Sequence, residues 1–200
     1  MGIDMKAVNA LPEGYEEFYS VDLQKNKILM ILINAISAFI CAAMIIVGIF
    51  IVPFAESFDT DTDIGGMLIR LGTLFLSIIV YMILHELVHG AAMKICGTKK
   101  VKYGFTGMYA FAGSEDYYGK WAYIFIALAP VVLWGIVLAA LCAIVPASWF
   151  WIVYFVEIMN ISGAAGDLFV TFRFIPFPSD ILVKDAGVSM TVYSTVTKSI

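Results

Sequence analysis

The sequence predicts an all-α membrane protein, a bundle of about four transmembrane helices with a short cytosolic hairpin-like loop. Three observations lead there. The 200-residue chain is 62% hydrophobic and only 14% charged, whereas soluble domains average about half apolar and about a quarter charged. Its surface must therefore be largely apolar. Four runs, at 28–54, 67–93, 121–145 and 149–172, each reach the roughly 20 helical residues that cross a hydrocarbon core of about 30 Å. Cationic residues, finally, gather on alternate connections between those runs.

Taken in order, residues 1–27 read as a cytosolic N-terminal segment that carries Lys6, Lys25 and Lys27. They are mostly polar and include several acidic residues, so no cleavable signal peptide is expected and the first run stays as a membrane helix. The linker 55–66 is acidic and lacks Lys and Arg. Between the second and third runs stand Lys94, Lys99, Lys100, Lys102 and Lys120, while the turn 146–148 is uncharged. Arg173, Lys184 and Lys198 follow the fourth run. The bias places both termini and the 97–120 loop in the cytosol. Arg70, at the start of the second run, can snorkel to the opposite interface. The core thus spans 28–175, and 176–200 is a cytosolic tail of turns and short β-prone runs.

Composition also excludes some roles. A net charge of −4, spread over the segments outside the runs, fits no nucleic-acid partner. Cys41, Cys96 and Cys142 are odd in number and lie in apolar or lysine-rich surroundings, so they read as buried free thiols. In the 97–120 loop, β-prone residues 101–105 and 108–112 flank Thr106-Gly107 and predict a hairpin.

The chemistry is carried by "HELVHG". His85 and His89 are the only histidines in the chain, and Glu86 follows the first of them. On a helix, residues four apart share a face one turn apart. Two imidazoles so placed can reach one zinc ion, and the intervening Glu can sit beside the metal's water. Zinc lowers the pKa of that water towards 7, and the Glu takes its proton for attack on a polarised carbonyl. An ionisable cluster within an apolar run is costly, and so points to function.

A catalytic zinc usually has three protein ligands, and no third histidine exists. Cys96, Glu115, Asp116, Glu157 and Asp167 are the candidates downstream. Depth separates them. His85 and Asp167 each stand 18 residues into their runs, roughly 27 Å at 1.5 Å per residue, and both runs proceed from outside to inside. Glu157 falls about 15 Å away from that level. Cys96 lies two turns beyond His89, past an expected helix end at Gly97, and Glu115 and Asp116 would need the loop to fold back. Asp167 is therefore expected as the third ligand. The small residues Ser162 to Gly166 before it would let helices approach closely. Asn160, two turns before Asp167 on nearly the same face, could contact substrate or a developing oxyanion. It could equally be an interhelical hydrogen-bond partner.

With Asn160 and Asp167 on a later helix, the "HELVHG" segment resembles the site-2 protease class of intramembrane zinc metalloproteases. More narrowly, the chain resembles a group of small bacterial membrane zincin peptidases. The likeness runs from "LPEGYEEF" at 11–18 through "HELVHG", "ALAP" at 127–130 and "NISGAAGDL" at 160–168. The resemblance implies His85, His89 and Asp167 as zinc ligands and Glu86 as general base. It also implies a use for the loop, since a hairpin edge can hold an extended peptide by strand addition.

The expected function is a zinc-dependent intramembrane or juxtamembrane endopeptidase. It would cleave transmembrane or membrane-associated proteins near the cytosolic face, with membrane lipid around its helices. The competing readings are a metal-binding transporter or sensor without hydrolytic activity, and an inactive membrane adaptor. Glu86 separates the first of these from a peptidase, because transport has no evident need of a base beside the ligands.

Overall fold

A computed structural model describes residues 6–22, 25–57, 64–105, 107, 110–185 and 189–195. The elements run β1 (Glu16–Asp22), α1 (Lys27–Ile51), α2 (Phe54–Ser57), α3 (Ile64–Ile95), β2 (Lys102–Phe105), β3 (Ala110–Gly113) and β4 (Tyr117–Gly119). They continue with α4 (Lys120–Ile144), α5 (Ala147–Gly163), α6 (Ala165–Phe174), β5 (Leu182–Asp185) and β6 (Ser189–Ser194). Among the described residues, four helical stretches are long and apolar enough to cross a membrane: α1, α3, α4 and the α5–α6 pair. They coincide with the four apolar runs. Part of the acidic linker, 58–63, lies outside the described residues.

The expectation of an all-α chain needs correction. The polar lead-in, the end of the 97–120 loop and the β-prone runs of the tail pair into a four-stranded antiparallel sheet, in the order β1-β6-β5-β4. The reason is alternation. Along β6, Met190, Val192 and Ser194 are buried while the residues between them are partly exposed, the period-two pattern of a half-buried strand. Strands this short cannot bury that face alone. The chain brings together four of them, from places as distant as Tyr19 and Val192.

The chain divides into two compact units, 1–32, 86–130 and 167–200 forming the first, and 33–85 and 131–166 the second. Each passage between them falls within a helix. The first unit has its core beneath the sheet, where Tyr118, Phe174, Val183 and Val192 are fully buried. The Tyr118 hydroxyl lies 2.6 Å from both Thr98 Oγ1 and Ser114 Oγ. Lys120 is buried because its ammonium donates to the carbonyls of Ile175 and Phe177, at 2.6 and 2.8 Å. Those carbonyls lie just past the C-terminus of α6, where a cation is favoured. Lys120 thus ties the start of α4 to the end of α6.

In the second unit, α1 and α5 touch at Gly48, where a Cβ would meet the rings of Tyr154 and Trp151. A small residue lets the backbones approach closely. The Tyr154 hydroxyl donates to the Met44 carbonyl at 2.8 Å, and the Trp151 indole to Val52 at 3.0 Å. Much of α1 is otherwise exposed and apolar, with Phe39 and Phe50 at 75% and 85%, as lipid contact requires.

Helix ends follow local chemistry. Asn26 Oδ1 accepts the Leu29 amide at 3.0 Å and caps α1. At the end of α3, Gly97 takes φ +97°, with its amide on Lys94 and that of Thr98 on Met93. That pair of bonds is a Schellman motif, which favours glycine because φ is positive. The fourth run is not one helix: it breaks at Ala164 between α5 and α6. Ser162 Oγ donates back to the Ile158 carbonyl at 2.7 Å, a bond that bends helices, and two glycines flank the break.

Candidate metal centre

Helix α3 is unbroken from Ile64 to Ile95, so His85 and His89 share one face a turn apart. The break at Ala164 places Asp167 in the first turn of α6. One ligand atom each from His85, His89 and Asp167 lie within 4.8 Å of one another, and all three residues are half-buried.

Within the first unit, His89 Nε2 is 3.7 Å from Asp167 Oδ1. Two tetrahedral zinc ligands, each about 2.1 Å from the ion, stand about 3.4 Å apart. The observed spacing is close to that. Both side chains keep some exposure, 12% for His89 and 25% for Asp167, so the group is shielded but reachable.

The His89 ring is oriented from behind. Its Nδ1 lies 2.9 Å from the main-chain oxygen of Ile126. A carbonyl only accepts, so Nδ1 carries a proton, and in a neutral ring Nε2, the nitrogen facing Asp167, is then the bare one. That carbonyl is available for a legible reason. In a helix it would accept from the amide four residues later, and that residue is Pro130, inside α4, which has no N–H. The proline of the "ALAP" segment frees the Ile126 carbonyl that sets the histidine. Sequence reasoning used it only as a resemblance, although a proline four residues after Ile126 was the signal.

His85 Nδ1 lies 2.9 Å from the Tyr81 hydroxyl, one turn earlier on α3. Tyr81 in turn donates to Asn160 Oδ1 at 2.9 Å. Asn160 is fully buried, and its Nδ2 donates to the Val131 carbonyl at 3.1 Å and Glu157 Oε2 at 3.2 Å. Of the two roles open to it, interhelical hydrogen bonding is what the described contacts display. Tyr81 itself was missed, its signal being its place four residues before His85.

The other acidic and sulfur candidates are engaged elsewhere. Cys96 is 1% exposed in the core under the sheet, and burial raises its thiol pKa. Glu115 lies 2.7 Å from Lys102 and 3.6 Å from Lys184. Glu157 hydrogen-bonds Asn160. Glu86 is half-buried on α3.

The expected hairpin forms, Lys102 pairing with Gly113 and Phe105 with Ala110. Its connection is four residues long, and Thr106, Met108 and Tyr109 lie outside the described residues. Strand β2 runs close to the helix just after His89. A Cβ on Gly90 would collide with the Tyr103 hydroxyl and ring, so the last residue of "HELVHG" is small because β2 packs there.

The donor set, two imidazoles and a carboxylate, is that of a zinc site with an open position, and His89 is oriented to ligate. Four membrane-length helices with such a group define a membrane protein bearing a candidate metal centre. The chain belongs to the family described as "Putative zincin peptidase", whose profile matches residues 78–182, more than half its length. No curated protein and no solved structure matches it.

Proposed function

We propose that the protein is a zinc-dependent endopeptidase of the membrane, held by His85, His89 and Asp167 around one ion. The observation that carries this reading is the convergence of those three side chains inside the stretch matched by a zincin family. When bound, zinc supplies Lewis acidity, acidifying water and polarising a carbonyl oxygen. Glu86, next to His85 on α3, accepts a proton from the attacking water as its oxygen bonds to the scissile carbon. It then passes that proton to the nitrogen as the C–N bond breaks, so the amine leaves neutral. The active group resembles that of site-2 proteases in its residues and their placement on two helices.

The lysine distribution supports a topology with both termini and the 97–120 loop in the cytosol. Cleavage then falls near the cytosolic face, and the substrates are transmembrane or membrane-associated proteins. Strand β2 supports a way of holding them. Among the described residues it pairs only with β3, and Tyr103 fixes it next to Gly90, one residue from His89. An extended peptide added along that sheet's edge would lie beside the ligands.

The metal content of the purified chain tests the centre. One zinc per chain, lost in His89→Ala and in Asp167→Ala, is the expected result. No zinc after reconstitution of the wild type would remove the reading.

A further inference from the structure

We propose that Tyr81 and Asn160 act as a positioning pair, placing the proton of His85 on Nδ1 so that Nε2 is left as its ligand atom. The inference rests on the metal-centre reading for its purpose, but on hydrogen-bond logic for its content.

The logic starts at Val131. Its carbonyl can only accept, so the amide atom of Asn160 lying 3.1 Å away must be the donor nitrogen. Reversing the amide would set two acceptors against each other in a fully buried place, which costs the desolvation of both. Asn160 Oδ1 must therefore face Tyr81, and the single hydroxyl proton of Tyr81 goes to it at 2.9 Å. That leaves only lone pairs on the hydroxyl oxygen for His85 Nδ1, also 2.9 Å away. The contact is attractive only if Nδ1 carries a proton. In a neutral ring, Nε2 is then bare.

The pair is necessary because of what a hydroxyl is. The main-chain carbonyl behind His89 can only accept, so it dictates a tautomer unaided. A tyrosine hydroxyl can donate or accept, and alone would tolerate either form of His85. Asn160 removes that freedom by taking the hydroxyl's proton. Packing holds the geometry: Tyr81 is 7% exposed, edge-on to the His85 ring at 5.6 Å and to Trp134 at 6.4 Å. Partners of this kind typically change metal affinity by about 10- to 100-fold when removed.

The chain has two histidines, so labelling histidine rings with nitrogen-15 yields only two spin systems. The experiment is ring nitrogen NMR on the metal-free, full-length protein in detergent at about pH 9, above the ordinary histidine range. Zinc affinity is measured alongside by chelator competition. The wild type should show Nδ1–H for both rings. In Tyr81→Phe, which keeps the ring against Trp134 but takes the donor from buried Asn160 Oδ1 and so should lower the melting temperature modestly, His85 should redistribute towards Nε2–H while His89 stays unchanged. Zinc should bind that variant about 10- to 100-fold more weakly. An Nε2–H form of His85 in the wild type would overturn the proposal. So would a Tyr81→Phe protein with unchanged tautomer and affinity. Failure of the wild type to bind zinc would instead strike the metal centre, while the metal-free tautomers still decide the role of the pair.

Discussion

The main-chain oxygen of Ile126 accepts the Nδ1 proton of His89 at 2.9 Å, on a helix where Pro130 leaves that oxygen without its usual amide. A residue that normally damages a helix interior thereby orients a candidate metal ligand.

Substituting Pro130→Ala restores an amide that competes for the Ile126 carbonyl. Zinc affinity should fall, by less than the roughly 10- to 100-fold of losing an outer hydrogen bond outright, because a carbonyl has two lone pairs. Thermal stability should hold or rise, since proline costs a helix interior about 3 kcal/mol. Chelator competition and a melting curve on the same sample read both. A parallel fall in stability and affinity would show that Pro130 serves packing instead.

The base and the ligands should separate cleanly. Glu86→Gln should keep one zinc per chain while hydrolysis of a casein probe in detergent falls by about 10²- to 10⁴-fold, the usual worth of a general base. Loss of zinc in this variant would make Glu86 a ligand or a structural residue.

Gly90→Ala should lower the melting temperature, because the new Cβ collides with Tyr103 and overpacking typically costs about 1–3 kcal/mol. Adding Tyr103→Ala, at a half-exposed position, should recover most of the loss. Additive losses in the double variant would contradict the contact.

Glu115 predicts a pH effect on the hairpin side. A hydrogen bond from Lys102, with the charges of Lys102 and Lys184, lowers its carboxyl pKa in the folded chain. A depressed carboxyl pKa stabilises the fold above the unfolded value, about 4.3 for Glu, and that contribution disappears as pH falls through the lower folded value. The melting temperatures of wild type and Glu115→Gln should therefore differ slightly at pH 7 and converge towards pH 3. The difference should shrink with salt, because the carboxylate is exposed.

Much of the architecture was legible because hydropathy acts locally. Each apolar run appears as a helical stretch with ends within a few residues of the expected ones, and the i,i+4 spacing of His85 and His89 needs nothing beyond an unbroken α3. Depth counting set Asp167 level with the histidines, and its carboxylate does stand 3.7 Å from His89 even though its run breaks at Ala164. The break comes only three residues earlier, so the count along the chain still holds roughly. The sheet was not legible. Strands β1, β4, β5 and β6 are three to seven residues long; only β5 and β6 are neighbours in sequence, and β1 and β4 pair with them from about 170 and about 65 residues away.

What the sequence by itself determined is therefore the four membrane-length helical stretches and the two histidines one turn apart with Glu86 between them, since each depends on neighbours within a few turns. What only the tertiary structure decided is how each histidine ring is held. Ring orientation is set by acceptors 37 residues away for His89 and, for His85, by a tyrosine whose own proton is fixed by a residue 79 positions along. Hydrogen bonds are short-ranged and directional, and no spacing in one dimension encodes which of them will meet.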